Sequence, residues 1–227
     1  MTQDPNTKPE KPIRPELAEL QERLAFGLDE KRSDAVEKRK SKNQRTARAN
    51  VLDLCDPGSF IEYGALAIAA QRKRRSVKDL IEKTPADGML AGIGAVNGSA
   101  FPEDKSRAMV LAYDYTVLAG TQGFFNHKKI DRMLKLCHEQ KLPLVFFGEG
   151  GGGRPGDVDA AGVVVAGLDL GTFGSFARLS GHVPVVGVVS GPCFAGNAAL
   201  LGCCDVIIAA KNSNIGMGGP VMIEGGG

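Results

Sequence analysis

The sequence predicts an α/β protein, and three observations carry that reading. Apolar runs at 142–148, 183–190 and 206–210 are bounded by turn residues and read as short buried strands. Stretches of helical period alternate with them, the clearest over Phe124–Gln140. Two glycine-rich breaks then follow two consecutive core strands, one after Phe147 and one after Ser190.

The chain has 227 residues, which fits one large domain or one and a half small ones. Hydrophobic residues make up 43% and charged residues 24%, ordinary values for a globular protein. A formal net charge of +2 does not point to a nucleic-acid partner. No apolar run is long enough to cross a membrane, and the N-terminus has no signal-peptide core, so a cytoplasmic protein is expected. Cys55, Cys137, Cys193, Cys203 and Cys204 form no CxxC pair and read as reduced, mostly buried thiols. The 3 histidines fall in neither an HxxxH nor an HExxH pattern, so no metal site is expected.

In chain order, residues 1–12 are polar and rich in proline and lysine. Disorder is expected there, in a tail taken to residue 14. Pro15 suits a first helical turn, and Leu17, Leu20, Leu24 and Leu28 form a helical stripe. A second helical stretch runs from Lys31 to about Leu54, with Ser33 or Asp34 as its cap. Its basic residues, among them Arg39, Arg45 and Arg48, read as a solvated face in preference to a phosphate-binding surface. Without interleaved aromatics it offers no platform for single-stranded nucleic acid.

Asp56-Pro57-Gly58-Ser59 turns the chain, closing the N-terminal helical segment at residue 56, and Phe60–Leu66 reads as a strand. Arg72-Lys73-Arg74-Arg75 is either a contact for ligand phosphates or an exposed loop, and Thr84-Pro85-Ala86-Asp87-Gly88 is a turn. Met89–Val96 and Arg107–Tyr113 read as an antiparallel pair, with a turn at Asn97-Gly98 and a polar loop over 99–106. On helix Phe124–Gln140 the apolar face is Ile130, Met133, Leu134 and Cys137, with His127 and His138 as surface or satisfied residues. Residues 158–170 read as broken helix, 183–190 and 206–210 as buried strands, and 191–199 as a strand-to-helix junction. The chain stops in a glycine run, Gly225-Gly226-Gly227, which looks like part of a longer protein.

The organising stretch is Leu142-Pro143-Leu144-Val145-Phe146-Phe147-Gly148-Glu149-Gly150-Gly151-Gly152-Gly153-Arg154-Pro155-Gly156-Asp157. The blander reading of its glycines is a flexible linker, which is disfavoured directly after a buried strand. The sharper reading is functional. Consecutive glycines expose peptide N–H groups and accept positive φ. Ala195 and Gly196, in the second break, allow similar close approach at the start of a helix. Two amides converging from two such loops would form an oxyanion hole, each donor contributing roughly 3 kcal/mol in the transition state.

These junctions resemble the crotonase superfamily, whose members bind acyl-CoA thioesters and stabilise an enolate. Leu52–Glu62, Thr84–Gly88, Val96-Asn97-Gly98, Tyr113–Val117, His127-Lys128-Lys129-Ile130 and Gly191-Pro192-Cys193 are similar to one branch of it. That branch is the carboxyltransferase of biotin-dependent acyl-CoA carboxylases, of the propionyl-CoA and acetyl-CoA carboxylase type. The resemblance covers about residue 50 to the end. It implies a ββα spiral over 57–227 after N-terminal helices, with a second homologous half following. It also implies transfer of a carboxyl group from carboxybiotin to the α-carbon of an acyl-CoA.

Gly151 and Gly152 match the family's enolate-holding pair and Arg154 its arginine. Glu149-Gly150-Gly151-Gly152-Gly153-Arg154 stands where Asp-Ser-Gly-Gly-Ala-Arg is usual, and Asn197 is a second departure. The resemblance makes Gly151, Gly152, Ala195 and Gly196 the catalytic candidates. Arg72, Arg74, Arg75, Gly150, Gly153 and Arg154 are the CoA-binding candidates. Ala199 and Gly219 stand where hydratases of the superfamily carry glutamates, so no protein acid or base is expected there.

The chain has no biotinyl-lysine motif, so biotin is expected in trans, on a carrier, with biotin carboxylase as a further partner. A homo-oligomer is also implied. The alternatives are a biotin-dependent acyl-CoA decarboxylase subunit, a crotonase-like hydratase or isomerase, and a non-catalytic scaffold. Acyl-chain length is not readable.

Overall fold

The computed structural model describes residues 13–160 and 170–225. The expected disorder over 1–12, most of the broken helix at 158–170 and the last two glycines lie outside the described residues.

Among the described residues the main sheet has six strands in the order β1-β2-β3-β4-β5-β7. These are β1 (Ile61–Glu62), β2 (Met89–Ala95), β3 (Arg107–Tyr113), β4 (Leu144–Phe147), β5 (Val185–Val189) and β7 (Val206–Ala209). The first three pair antiparallel, and β3, β4, β5 and β7 run parallel. Parallel neighbours need crossovers. Helices α6 (Phe124–Gln140), α7 (Gly171–Ala177) and α8 (Gly196–Leu201) lie in these connections. A second, two-stranded sheet pairs β6 (Pro192–Phe194) with β8 (Asn214–Gly216), and α9 (Pro220–Gly225) follows. A bridge from Gly150 to Cys193 carries the first glycine break alongside β6.

Alternation along β2 and β3 sends side chains to two cores. Met89, Ala91, Ile93, Met109, Leu111 and Tyr113 pack with Ile130, Met133, Leu134 and Cys137 of α6. Leu90, Val110 and Ala112 face Ala47, Val51 and Cys55, on or just past α3 (Ala47–Leu54). Glycine in β2 serves this second layer: a Cβ at Gly94 would fall 2.5 Å from Cys55 Sγ. No helix among the described residues is long and apolar enough to cross a membrane.

Four expectations are corrected. The stretch after Lys31 is not one helix: α2 (Ser33–Lys40) ends before a bend, and α3 starts afresh where Thr46 Oγ1 accepts the Ala49 amide at 3.0 Å. The residue preceding α2 is Arg32, so neither Ser33 nor Asp34 is its cap. Phe60–Leu66 shortens to the two residues of β1. Finally, β7 is an edge strand, with Val206, Ile207 and Ile208 54%, 46% and 56% exposed, since no further element covers it among the described residues. The leucine stripe of α1 (Pro15–Ala25) is similarly uncovered, and that helix buries no residue.

Candidate functional site

The two glycine breaks lie against each other. The Gly150 amide donates to Pro192 O at 2.8 Å, and Phe194 returns a bond to Gly150 O at 2.9 Å. One step along, a Cβ on Gly152 (φ +85°) would fall 2.7 Å from the Ala195 Cβ. Both geometry and crowding therefore require glycine there. Ala195 itself has φ 49° and ψ −119°, a conformation that normally calls for glycine, immediately before α8. Such strain persists only where surrounding contacts hold it, and it gathers at functional sites.

The amides sort into two groups. Gly151 N donates to Ala119 O at 3.0 Å, Gly152 N to Asn197 Oδ1 at 3.0 Å, and Ala195 N to Gly216 O at 3.0 Å. These three expected donors are committed inside the fold. By contrast, the amides of Gly153 and Gly196 have no acceptor among the described residues. Gly153 is exposed, and a Cβ there would meet nothing within 4 Å.

Three side chains that the sequence did not single out as site residues hold this arrangement. Asn197, fully buried, accepts from Gly152 N and donates to Gly120 O at 3.3 Å. Gly120 closes a turn in which Leu118, Ala119 and Gly120 all have positive φ, at 48°, 55° and 61°. The backbone carbonyl of Gln122 accepts from Arg154 N at 3.0 Å, and its backbone N–H donates to Gly152 O at 2.7 Å. Its side chain occupies the space a Cβ on Gly196 would need. Glu149 pairs with Arg39 of α2 in the interior, so Arg39 does not belong to a solvated face. The only sequence signal for Asn197 was its departure from small residues.

Arg154 is a buried strut, not an exposed phosphate ligand. Its guanidinium contacts Asp87, lies 3.5 Å from Asp157 and donates to Thr121 O at 2.8 Å. Burial holds the Asp87 carboxyl above the usual carboxylate range, against the pull of Arg154. Asp157 in turn accepts from Phe124 N at 2.8 Å and Gln71 Nε2 at 3.1 Å. Through Gln71 the basic cluster is moored to the glycine loop. Arg72, Arg74 and Arg75 are exposed, and Arg75 is paired with Asp79 at 3.3 Å. His127 is buried against Thr172, and burial lowers its pKa. Cys193, beneath the second break, has its thiol pushed up to about 12 by burial, which makes it a poor nucleophile.

Among known proteins, the carboxyl transferase domain family matches residues 38–225. The methylmalonyl-CoA carboxyltransferase 12S subunit of Propionibacterium freudenreichii subsp. shermanii is 30% identical over 216 residues, covering 92% of this chain and 37% of that protein. The biotin-dependent long chain acyl-coenzyme A carboxylase beta4 subunit of Mycobacterium tuberculosis is 30% identical over 207 residues, covering 86% and 34%. A solved single-chain, multi-domain long-chain acyl-CoA carboxylase superposes with a TM-score of 0.87 at 60% identity, covering 95% of this chain and 21% of that one. The chain thus spans about a third of the length of the curated relatives it matches. With its parallel sheet, paired second strands and crossover helices, it has the crotonase-like α/β fold and belongs to the carboxyl transferase domain family.

Proposed function

We propose that this chain is the N-terminal half of the carboxyltransferase of a biotin-dependent acyl-CoA carboxylase. One observation carries the reading: two abutting glycine breaks each leave one amide, at Gly153 and Gly196, without an internal acceptor among the described residues. Those two amides, in place of Gly151 and Gly152, are the donors for the thioester oxygen as it becomes an enolate oxygen. Each contributes roughly 3 kcal/mol, or about two orders of magnitude in rate.

The other residues position. Asn197 and Ala119 hold Gly152 and Gly151, so the Gly152–Gly153 peptide is fixed before substrate arrives. Open space beside Gly153 lets a thioester approach the backbone. Ala199 and Gly219 offer no proton acceptor. Biotin, carried in trans on a carrier loaded by biotin carboxylase, supplies the carboxyl group and a basic ureido nitrogen for the α-proton. The protein's part is orientation and charge stabilisation, which suits a site whose charged side chains are engaged with one another, Arg39 with Glu149 and Arg154 with Asp87 and Asp157. The complete protein is a homo-oligomer in this reading, with acyl-CoA as its small-molecule substrate.

The test uses the complete protein. Labelled carboxyl transfer from carboxybiotin to acetyl-, propionyl- and methylcrotonyl-CoA is followed for the wild type. Transfer to at least one acceptor is expected. Hydration of crotonyl-CoA without biotin, and no carboxyl transfer, would overturn the reading in favour of a hydratase.

A further inference from the structure

A fully buried aspartate, Asp87, stands one side chain away from the first glycine break. The backbone bends to bring it there: Ala86, Asp87 and Gly88 all have positive φ, at 53°, 49° and 70°. Aspartate tolerates that region better than alanine does, so the turn needs outside support. Lys129 Nζ supplies it through Ala86 O at 3.4 Å, and Asp87 N donates to Ala67 O and Thr84 O, each at 3.1 Å.

Asp87 accepts from two neighbours. Oδ2 takes the Asn126 amide at 2.7 Å, one of the open N–H groups in the first turn of α6, and its carbonyl takes Asn126 Nδ2 at 3.3 Å. Oδ1 meets Arg154 Nη1, and the same carbonyl takes Arg154 Nη2 at 3.3 Å. The guanidinium also holds Thr121: Nε donates to its Oγ1 at 3.2 Å and Nη2 to its carbonyl at 2.8 Å. Thr121 precedes Gln122, whose backbone bonds Gly152 O and Arg154 N and so grips both peptides of Gly153. A planar fork cannot turn without breaking one of these bonds. Nor is there slack beside it, since a Cβ on Gly123 would fall 2.2 Å from Arg154 Nη1.

We propose that Asp87 is a positioning residue for carboxyl transfer: as an anion it locks the Arg154 guanidinium, which aligns Thr121 and Gln122 and through them the Gly153 amide. The inference rests on the reading of Gly153 as an oxyanion donor. With Asp87 neutral, the guanidinium is left with Asp157 at 3.5 Å, which already accepts from Phe124 N and Gln71 Nε2. Drawn toward it, Arg154 would shift Thr121 and with it the Gly153 amide. The charged and titratable groups around Asp87 are Arg154, Asp157, Lys129 of α6 and Tyr113 of β3, and His127 faces Arg154 and Asp157. Burial raises the Asp87 carboxyl, so it takes up a proton before ordinary carboxylates as pH falls.

Asp87→Asn keeps the shape and the tolerance for positive φ and removes the charge. In the complete enzyme at about pH 8 it should lower kcat about tenfold, with KM for acyl-CoA within about twofold. Acidification to about pH 5 should shrink the wild-type advantage, because protonated Asp87 is itself neutral and titrations common to both enzymes cancel in the ratio. An unchanged kcat, a ratio indifferent to pH, or a fall in kcat matched by a rise in KM would overturn the proposal. Because breaking a buried pair can unfold a protein, Asp87→Asn with Arg154→Gln is the second variant. Its urea midpoint should return toward wild type while kcat stays about tenfold down. Recovery of kcat along with stability would show that the pair only holds the fold together.

Hydrogen exchange separates this role from the fate of the functional reading. In the complete protein, Asp87→Asn should speed exchange across 150–156 about tenfold and leave 130–137, in the middle of α6, unchanged. Equal acceleration of both segments, or none in 150–156, refutes the positioning role whether or not the wild type transfers carboxyl groups. Selective loosening in a protein that transfers nothing would keep Asp87 as the anchor of the loop and remove only the carboxyltransferase reading.

Discussion

Arg39 and Glu149, 110 residues apart, meet in a buried two-pronged ion pair, Nη1 to Oε1 at 2.7 Å and Nη2 to Oε2 at 2.6 Å. The same guanidinium donates to Arg45 O at 3.0 and 2.7 Å and to Gln44 Oε1 at 3.1 Å. Glu149 in turn fills the space beside Gly191, where a Cβ would fall 2.1 Å from its Oε1. One pair thus joins α2, the bend after it and both glycine breaks. It makes the N-terminal helices part of the site's support.

Removing one partner leaves the other charge buried and unpaired. Arg39→Ala should cost about 3–5 kcal/mol in urea denaturation, whereas Arg39→Met combined with Glu149→Leu should recover most of the loss. A cost under about 1 kcal/mol for Arg39→Ala would show that the pair is solvated in practice.

Such a pair explains what the sequence could not yield. The spans Met89–Ala95, Arg107–Tyr113 and Phe124–Gln140 were legible because period 2 and period 3.6 are local properties of those residues. Arg39 lay in a basic run whose nearest acids, Asp34 and Glu37, are not its partner, and its partner comes more than a hundred residues later. Burial of β7 was misread for the same reason: Val-Ile-Ile reads as core, yet an edge strand's burial depends on what packs against it. The glycine breaks were placed correctly side by side. Which of their amides keep no acceptor among the described residues was decided by Ala119, Asn197 and Gly216, acceptors that no spacing announces.

Strain at Ala195 gives a second prediction. With φ 49° and ψ −119° the alanine carries a cost of order 1–3 kcal/mol that glycine would not. Glycine's greater freedom in the unfolded chain offsets part of the gain. Ala195→Gly should therefore raise stability by about 1 kcal/mol, while Ala195→Val, pressing on Gly152, should lower it. Both are read from denaturant midpoints, and a glycine variant less stable than wild type would contradict the backbone geometry.

Lys129 supplies a pH dependence. Its ammonium donates to Gly64 O at 3.2 Å and to Ala86 O at 3.4 Å, and also contacts Met89 O. Burial lowers its pKa from 10.5 to about 8, against the attraction of Glu62 and Asp87 and with some help from Arg48. Between pH 8 and 10.5 the unfolded chain then holds a proton that the folded one has released. Stability attributable to this residue should rise with pH across that window, by about 3 kcal/mol at most. The measurement is the difference in unfolding free energy between wild type and Lys129→Met from pH 7.5 to 10.5, where titrations common to both cancel. A flat difference would mean that the three carbonyls hold the proton as firmly as water does.

Asn197 offers the sharpest test of the site, because its two bonds act on geometry and not on substrate. Oδ1 fixes Gly152, the residue before Gly153, whose amide has no acceptor among the described residues, and Nδ2 fixes Gly120, next to the carbonyl that takes Gly151. Asn197→Ala in the complete enzyme should release the Gly152 amide and let the adjoining peptide rotate. Oxyanion stabilisation is lost only in the transition state, so kcat should fall roughly 10- to 100-fold with KM within about twofold. Asn197→Asp keeps the acceptor for Gly152 N but loses the donor to Gly120 and buries a negative charge beside the developing one. It should be the slower of the two variants, although it is closer in shape. A general packing role predicts the reverse order, with the near-isosteric aspartate almost wild type and the alanine defective in KM as much as in kcat.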